Sequence, residues 1–358
     1  MATIKAAVSR AFHHPLVIED IVLAAPGPGQ VEVTLEACAI CHSDISFIEA
    51  AWGGVLPAIY GHEAVGHVTA AGPGARHEVG TRVLVTLMVN CGQCRCCAGG
   101  KAAHCETAVD QVATLALPDG TPVSQGMNCG AFAEKVVVRD SQTQPIPADI
   151  PAASAAVLSC GVITGLGAAV NTARIRPGEV VVVIGAGGVG LNAIQGARLS
   201  GASRIVAVDM VPDKLDAALD FGATDGILAN HDAPWKALRQ IAPQGADVVL
   251  VSVGALPAYD SALRYLGSKG RAYAVGMTHG GQSAGYEPVM LAYYGHRIEG
   301  SLMGDTVLAR DIPWMVDLYR QGRLKLDELV SGTWRLDQIN NAITDTKSGA
   351  ARRNVIVF

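Results

Sequence analysis

Four cysteines lie close together in the sequence, at the spacing Cys91-x2-Cys94-x2-Cys97-x7-Cys105. Thiolates this close suit tetrahedral Zn²⁺. A site with four protein ligands has no open coordination position, so this zinc would be structural. Two alternatives remain from the spacing: an iron–sulfur cluster, or a loop with scattered reduced thiols. Cys96 interrupts the pattern, and we expect it to be a bystander.

A second set of zinc ligands is spread along the chain, at Cys41, His62 and Cys160. Three protein ligands would leave a fourth position for water or substrate, which is the arrangement of catalytic zinc sites. Spacing alone does not pair residues so far apart. A lone buried cysteine is usually a small apolar residue, and a lone histidine is often a satisfied core residue. Residue types alone therefore give only a hypothesis here.

A glycine-rich turn follows a continuous apolar run at residues 180–184, which predicts a strand buried on both faces. The turn reads Gly185-Ala186-Gly187-Gly188-Val189-Gly190, and residues 191–202 follow at helical spacing. A second strand is predicted at 204–208 and ends in Asp209. Strand, glycine turn, helix, strand and acid together predict a dinucleotide site. The alternative is a structural glycine turn in another α/β fold.

Three of the four glycines in this turn have a structural role. Gly185 makes the tight turn, Gly187 lets the backbone approach a pyrophosphate, and Gly190 lets the helix pack on the strand. The helix N-terminus attracts the phosphate anions. Asp209 can accept both ribose hydroxyls of NAD, and its charge would repel the 2′-phosphate of NADP. The sequence therefore favours NAD.

The elements that must position these residues fall into two classes. Residues 212–222, 234–242 and 256–267 predict helices, whereas 245–254 and 270–277 predict strands. Repeated βα units imply a doubly wound parallel sheet. The N-terminal part has short strands with Pro/Gly turns, which predicts an antiparallel β domain. The C-terminal part predicts helices at 311–321 and 336–347 and a strand at 354–358.

Composition narrows the class of protein. With 358 residues the chain has room for about two domains. Half of the residues are apolar and 16% are charged, which excludes a disordered chain. A net charge of −5 provides no basic field for nucleic acid. Nine cysteines without a secretory signal argue against a disulfide framework.

One uncharged stretch, residues 150–173, is long enough to suggest a membrane span. It is rich in Ala, Gly and Ser rather than Leu and Ile, so we expect a buried segment instead. We therefore expect a soluble, cytoplasmic protein without membrane or nucleic-acid partners.

Over essentially its whole length the chain resembles the zinc-dependent medium-chain alcohol dehydrogenases. The segment Gly61-His62-Glu63-Ala64-Val65-Gly66, with Gly72, resembles the zinc signature of that family. The cysteine cluster, the glycine turn with Asp209 and the segment 353–358 match as well. Cys41-His42-Ser43-Asp44 is similar to the class III and benzyl alcohol dehydrogenase branches. The resemblance implies an α/β fold with a GroES-like, β-rich catalytic domain at 1–158 and 301–358, and a Rossmann NAD-binding domain with a doubly wound parallel sheet at 159–300.

Roles for individual residues follow from this resemblance. It implies that Cys41, His62 and Cys160 bind a catalytic zinc, that Ser43 is the first hydroxyl of a proton relay, and that Asp44 orients His62. Glu63 would sit beside the metal and pair with Arg353. The implied contacts to NAD are His42, Thr164, Gly185, Gly187, Gly188, Val189, Gly190, Asp209, Lys214 and Arg353. The implied substrate pocket is formed by Trp52, Leu87 and Leu302, for which ordinary core packing is the alternative.

The implied function is reversible hydride transfer between a primary, apolar or aromatic alcohol and NAD⁺, with two zinc ions per chain in a homodimer or homotetramer. Ser46 stands where many relatives end the proton relay in a histidine, so the exit of the proton is open. The acidic loop of the glutathione-dependent branch is replaced by residues 49–54. The alternatives are a secondary-alcohol, polyol or thiol–aldehyde-adduct dehydrogenase, and a non-catalytic zinc-stabilised binding protein.

Overall fold

A computed structural model describes residues 1–107, 114–349 and 351–358. The chain forms two compact units, Met1–Cys160 with Val307–Phe358, and Gly161–Thr306. The boundaries between these units differ from the expected ones, which were 158/159 and 300/301. Ser159 and Cys160 belong to the first unit, and residues 301–306 belong to the second.

The first unit is built mainly from short strands, as the Pro/Gly turns of the sequence predict. Its strands are β1 (Ala2–Ser9), β2 (Val17–Leu23), β3 (Gln30–Ala39), β4 (Ala58–Ile59), β5 (Glu63–Ala71), β6 (Arg82–Val85), β7 (Leu115–Ala116), β8 (Ser124–Gln125), β9 (Lys135–Arg139), β10 (Thr143–Pro145), β17 (Val330–Arg335) and β18 (Arg353–Val357). Its helices are α1 (His42–Ile48), α2 (Arg95–Ala98), α3 (Ala152–Val157), α10 (Leu308–Arg320) and α11 (Ile339–Ser348).

These strands form two sheets around one apolar core. One sheet has the order β7-β2-β1-β4-β8, and the other has the order β10-β6-β5-β3-β18-β17 with β9 also paired to β3. Most neighbours are antiparallel, which confirms the expected β-rich domain, but β4 pairs with β8 and β17 with β18 in parallel. The core between them contains mainly aliphatic side chains with Tyr60 and Phe132.

Strand pairing in the second sheet brings three distant parts of the sequence to one place. In the antiparallel pair β3 and β5, Ala39 lies opposite Glu63. In the antiparallel pair β18 and β3, Val355 lies opposite Ala39. The end of β3 therefore meets the starts of β5 and β18. Residues just beyond these ends must come together there.

The second unit contains the predicted doubly wound sheet. Its strands are β11 (Val180–Ile184), β12 (Arg204–Asp209), β13 (Asp225–Leu228), β14 (Ala246–Val251), β15 (Leu266–Ala274) and β16 (Arg297–Gly300). They are parallel, in the order β13-β12-β11-β14-β15-β16. The helices are α4 (Ile163–Gly167), α5 (Gly188–Leu199), α6 (Pro212–Asp220), α7 (Trp235–Ile241), α8 (Leu256–Tyr265) and α9 (Pro288–Tyr294). The sequence pattern missed α9, β13 and β16.

The uncharged stretch forms continuous helix from Ala152 to Thr172. Its mean hydropathy is 1.8 over the most apolar window, so within the described residues it alone is long and apolar enough to cross a membrane. However, 89% of that window is buried inside the protein. Such burial is typical of a core helix, and the expected buried segment agrees with it.

Candidate functional site

The four spaced cysteines are brought together in the loop around α2. The Sγ atoms of Cys91 and Cys97 are 3.9 Å apart, and those of Cys94 and Cys105 are 4.0 Å apart. A zinc ion with Zn–S bonds of about 2.3 Å needs sulfurs about 3.8 Å apart. The loop therefore already has the dimensions of a tetrahedral zinc site.

Backbone amides support these sulfurs as thiolates. The N–H of Cys94 donates to Cys91 Sγ at 3.2 Å, and the N–H of Cys97 donates to Cys94 Sγ at 3.5 Å. Hydrogen bonds with Thr107 and with backbone amides lower the pKa of Cys91 to about 6. Since a thiolate is the form that binds metal, Cys91 and Cys94 are prepared for a cation, whereas burial raises the pKa of Cys97 to about 12. Cys96 does not belong to this cluster.

A second cluster lies where β3 ends and β5 begins, close to the end of α3. The ligand atoms of Cys41, His62, Glu63 and Cys160 are all within 4.8 Å of one another. All four side chains are buried. The structure thus joins the three residues that spacing alone did not pair, and it places Glu63 beside them, where the resemblance implied it would lie.

Asp44 fixes the geometry of this cluster. Its Oδ2 accepts the N–H of Cys41 at 2.9 Å, and its Oδ1 accepts the N–H of Gly61 at 2.9 Å. Oδ1 also lies 3.0 Å from Nδ1 of His62. With Nδ1 as the donor, Nε2 presents its lone pair, and it has no hydrogen-bond partner among the described residues. A buried nitrogen in this state is suited to a metal ion.

Gly61 is a residue that sequence reasoning quoted without giving it a role. Its φ is +93°, a value that favours glycine, and an added Cβ would lie 2.7 Å from the backbone N of Phe132. Only glycine therefore allows the chain to turn here and deliver His62 to the cluster. The glycine directly before the histidine is the signal that could have indicated this.

The expected pairing of Glu63 with Arg353 is present. The guanidinium donates to Glu63 Oε1 at 2.8 Å and lies 3.8 Å from Cys41 Sγ. Burial raises the pKa of Glu63 to about 8, against the opposing charge of Arg353. Arg353 is itself buried, and its Nε atom has no hydrogen-bond partner in the described part of the chain, so its expected contact with a pyrophosphate stays a prediction.

The other residues expected near the zinc lie on α1 or close to it. Ser43 Oγ is 3.7 Å from Cys41 Sγ. His42 is exposed at the start of the helix. Trp52 packs edge-on against Phe47, with ring centroids 5.3 Å apart.

The two leucines of the implied pocket belong to different units. Leu87 packs against the core of the first unit. Leu302 belongs to the second unit, where its side chain is 42% exposed. Ser46, where the relay should end, is half-buried on α1.

The glycine turn of the second unit has the expected conformation. Gly185 has a φ of +94°. An added Cβ on Gly190 would lie 1.8 Å from the carbonyl oxygen of Gly185, so the helix and strand approach as closely as the motif predicts. A Cβ on Gly187 would meet nothing within 4 Å, which leaves its backbone open to a ligand.

Asp209 is held at the end of β12. Its carboxylate accepts the N–H of Ala186 at 2.7 Å and the N–H of Val211 at 3.1 Å. The acid is thus tied directly to the glycine turn. Lys214 is half-buried in the first turn of α6.

The remaining residues of the expected cofactor site lie on two helices. Gly188 and Val189 begin α5. An added Cβ on Gly165 would lie 2.1 Å from the carbonyl oxygen of Val189, so α4 is packed tightly against this turn. Thr164, on α4, is buried, and its Oγ1 lies 3.7 Å from Sδ of Met303.

Comparison with known proteins gives a consistent result. The family "Alcohol dehydrogenase GroES-like domain" matches residues 27–148, and the family "Zinc-binding dehydrogenase" matches residues 188–321. S-(hydroxymethyl)glutathione dehydrogenase of Escherichia coli is 33% identical, with 99% of each chain covered.

Two solved structures are similar over the whole chain. An alcohol dehydrogenase zinc-binding domain protein from Burkholderia ambifaria is 33% identical with a TM-score of 0.95, covering 100% of this chain and 99% of that one. Benzyl alcohol dehydrogenase from Acinetobacter calcoaceticus is 30% identical with a TM-score of 0.94, covering 100% of both chains.

We predict about two zinc ions per chain, one in each cluster of the described residues. Cys105→Ser should remove one zinc, and Cys41→Ala should remove the other, because a tetrahedral site loses most of its affinity with one ligand. Elemental analysis of the purified protein measures this. Cys96→Ser is the matched control in the same loop and should keep both ions. Equal zinc content in all variants would contradict the assignment of the ligands.

Replacing Asp44 by Asn should weaken the buried zinc site about 10- to 100-fold, since the amide cannot accept all three N–H groups and loses the charge that orients His62. Competition with a chromogenic chelator measures the affinity. Asp140→Asn is a suitable control, because that carboxylate binds Arg76 elsewhere in the first unit. Retention of zinc by Asp44→Asn to the same degree as by the control would refute the role of Asp44.

Proposed function

This chain belongs to the zinc-dependent medium-chain alcohol dehydrogenase family, as the sequence predicted, and we propose that it catalyses reversible hydride transfer between an alcohol and NAD⁺. The observation that carries this proposal is the buried Cys41, His62 and Cys160 cluster, with its unpartnered His62 Nε2. Three protein ligands of this type leave an open position for substrate. The four-cysteine loop has no such position and is assigned to structural zinc.

The residues of the cluster are assigned separate tasks. Zinc in this site would act as a Lewis acid on the alcohol oxygen, which favours loss of its proton. Ser43, 3.7 Å from Cys41 Sγ, is proposed to accept that proton first. His42 is exposed next to it and Ser46 lies one turn further on α1, so either one can pass the proton on towards water. Asp44 keeps His62 in the tautomer that binds metal.

NAD⁺ is proposed as the hydride acceptor because of the charge at the end of β12. The Asp209 carboxylate is held by two backbone N–H groups, so its position is fixed next to the glycine turn. A fixed negative charge there binds ribose hydroxyls and repels a 2′-phosphate. The proposed contacts of the dinucleotide are those implied by the family resemblance.

A primary alcohol with an apolar or aromatic group is the proposed substrate. Trp52 and Leu87 are apolar, and the similar benzyl alcohol dehydrogenase is a relative whose substrate is aromatic by name. A thiol–aldehyde adduct is the second candidate, because a 33% identical relative is an S-(hydroxymethyl)glutathione dehydrogenase. The only acid in residues 49–54 is Glu49, which pairs with Lys347, so this segment offers little to recognise a charged adduct. We also propose that the enzyme is homo-oligomeric and cytoplasmic.

We predict that benzyl alcohol and aliphatic primary alcohols give NADH with the purified zinc-loaded protein, faster than 2-propanol, sorbitol or a glutathione–formaldehyde mixture. The increase in NADH absorbance with NAD⁺ measures each rate. His62→Ala is the control for zinc-dependent turnover and should abolish it, since it removes a ligand. A faster rate with the glutathione adduct would support the second candidate. No turnover with any alcohol, in either direction, would refute the proposed function.

Removing the charge of Asp209 should reduce the preference for NAD⁺. For Asp209→Asn we expect the ratio of kcat/KM for NAD⁺ to kcat/KM for NADP⁺ to fall about tenfold or more, because repulsion of the 2′-phosphate is lost. Asp216→Asn, an exposed carboxylate on α6, is the control for a change of net charge. Equal kcat/KM values for both cofactors in the unaltered protein would refute the role of Asp209.

A further inference from the structure

A tight turn follows the last strand of the parallel sheet. We call residues 301–306 the exit turn. Strand β16 ends at Gly300, and the N–H of Ser301 still donates to the carbonyl oxygen of Ala274 at 2.9 Å. The exit turn therefore leaves the sheet at the carboxyl ends of the strands, on the same edge as the glycine turn after β11. In open α/β sheets ligands bind at this edge.

The order of the strands decides which half of a dinucleotide lies near the exit turn. A pyrophosphate on the glycine turn sits at the end of β11, and Asp209 marks the β12 side as the place of one ribose. The other half of the molecule must then extend over β14, β15 and β16. For NAD that half carries the nicotinamide. The exit turn begins where β16 ends.

The exit turn has an unfavourable backbone. Met303, Gly304 and Asp305 have φ values of +50°, +63° and +48°, so two residues with side chains lie in the left-handed region. Such residues persist only where the surroundings hold them. This backbone therefore needs specific contacts to keep its shape.

Several of those contacts come from the helix that contains Thr164. Thr172 Oγ1 donates to the carboxylate of Asp305 at 2.6 Å and lies 2.8 Å from Ser301 Oγ. Asn171 Nδ2 donates to the carbonyl oxygen of Gly304 at 3.2 Å. Thr306 Oγ1 donates to the carbonyl oxygen of Ile163 at 3.2 Å. The turn is thus fastened at its start, its middle and its end.

The same helix also contacts the glycine turn. Gly165 approaches Val189 so closely that an added Cβ would lie 2.1 Å from its carbonyl oxygen. Gly304 approaches the helix in the same way, with 2.3 Å between an added Cβ and the carbonyl oxygen of Ile163. The helix therefore spans the distance between the two turns. Its Thr172 side chain contacts Ser301 at the start of the exit turn and Asp305 near its end.

We propose that the Thr172–Asp305 hydrogen bond, with Ser301, positions the exit turn as one wall of the site for the nicotinamide ring. Thr172 and Asp305 are positioning residues, since they act through the backbone of the turn and not on the reacting atoms. This inference rests on the proposed function, because it assumes that the dinucleotide is NAD. It implies that the bond affects binding of the nicotinamide half and not of the adenosine half.

The test compares two ligands that share the adenosine diphosphate part. NADH carries the nicotinamide ring, whereas ADP-ribose lacks it. For Thr172→Val we expect the Kd of NADH to rise about fivefold, the effect of one lost buried hydrogen bond, and the Kd of ADP-ribose to stay within about twofold. Quenching of protein fluorescence and calorimetry measure the two constants. With an alcohol that is turned over, KM for NAD⁺ should rise while KM for the alcohol stays.

Three further variants make the result specific. Thr172→Ser keeps the hydroxyl and should restore the affinity for NADH. Asp305→Asn tests the bond from its other end and replaces Thr172→Val if that protein does not fold. Thr143→Val is the matched control, because Thr143 is a buried threonine of the first unit whose Oγ1 donates to a backbone carbonyl at 2.8 Å.

The outcomes separate the inference from the proposed function. The inference would be overturned if the ratio of the two Kd values stays unchanged in Thr172→Val and Asp305→Asn, whether both constants stay the same or rise equally. If the unaltered protein binds neither NADH nor ADP-ribose, the proposed function fails, and the inference fails with it. A rise for NADH alone, reversed by Thr172→Ser, supports the inference.

Discussion

The carboxylate of Asp44 is the contact on which the buried metal cluster depends. It is fully buried, and it receives the N–H groups of Cys41 and Gly61 together with the ring nitrogen of His62. A buried carboxylate is stable only when such donors replace its water. These donors belong to two chain segments, so one side chain joins the start of α1 to the start of β5. The positions of two proposed zinc ligands follow from that junction.

Sheet topology explains why such distant residues meet. The end of β3 lies beside the starts of β5 and β18, which places Cys41, His62 and Arg353 at one edge. The long buried helix then supplies Cys160, directly after Ser159, whose Oγ donates to the carbonyl oxygen of Ala64 at 3.0 Å. Each ligand is thus carried by a different element. A change in the register of any pair would displace a ligand.

The features that the sequence predicted most reliably are those formed within one short segment of the chain. The glycine turn and the four-cysteine loop are local, and their spacing already contains the chemistry. Cys41, His62 and Cys160 could be joined only through the family resemblance, since long-range pairing leaves no local pattern. Helix α9 and strand β16 were missed because their residues are almost all exposed, which removes the alternation of apolar and polar side chains. The strained backbone of Met303 and Asp305 had no signal, because both residues carry side chains.

The charges of the buried cluster show why its residues fit a divalent cation. Cys41, Cys160 and Glu63 are acidic groups, and the described contacts place two basic side chains with them, His62 and Arg353. Burial accordingly raises the pKa of Glu63, and the hydrogen bond to Cys41 together with burial raises that of Cys160. Burial is the shared cause, because it disfavours the charged form of both groups. A divalent cation held by two thiolates and a neutral imidazole would supply positive charge that favours the ionised ligands. The charges of Glu63 and Arg353 would then neutralise each other.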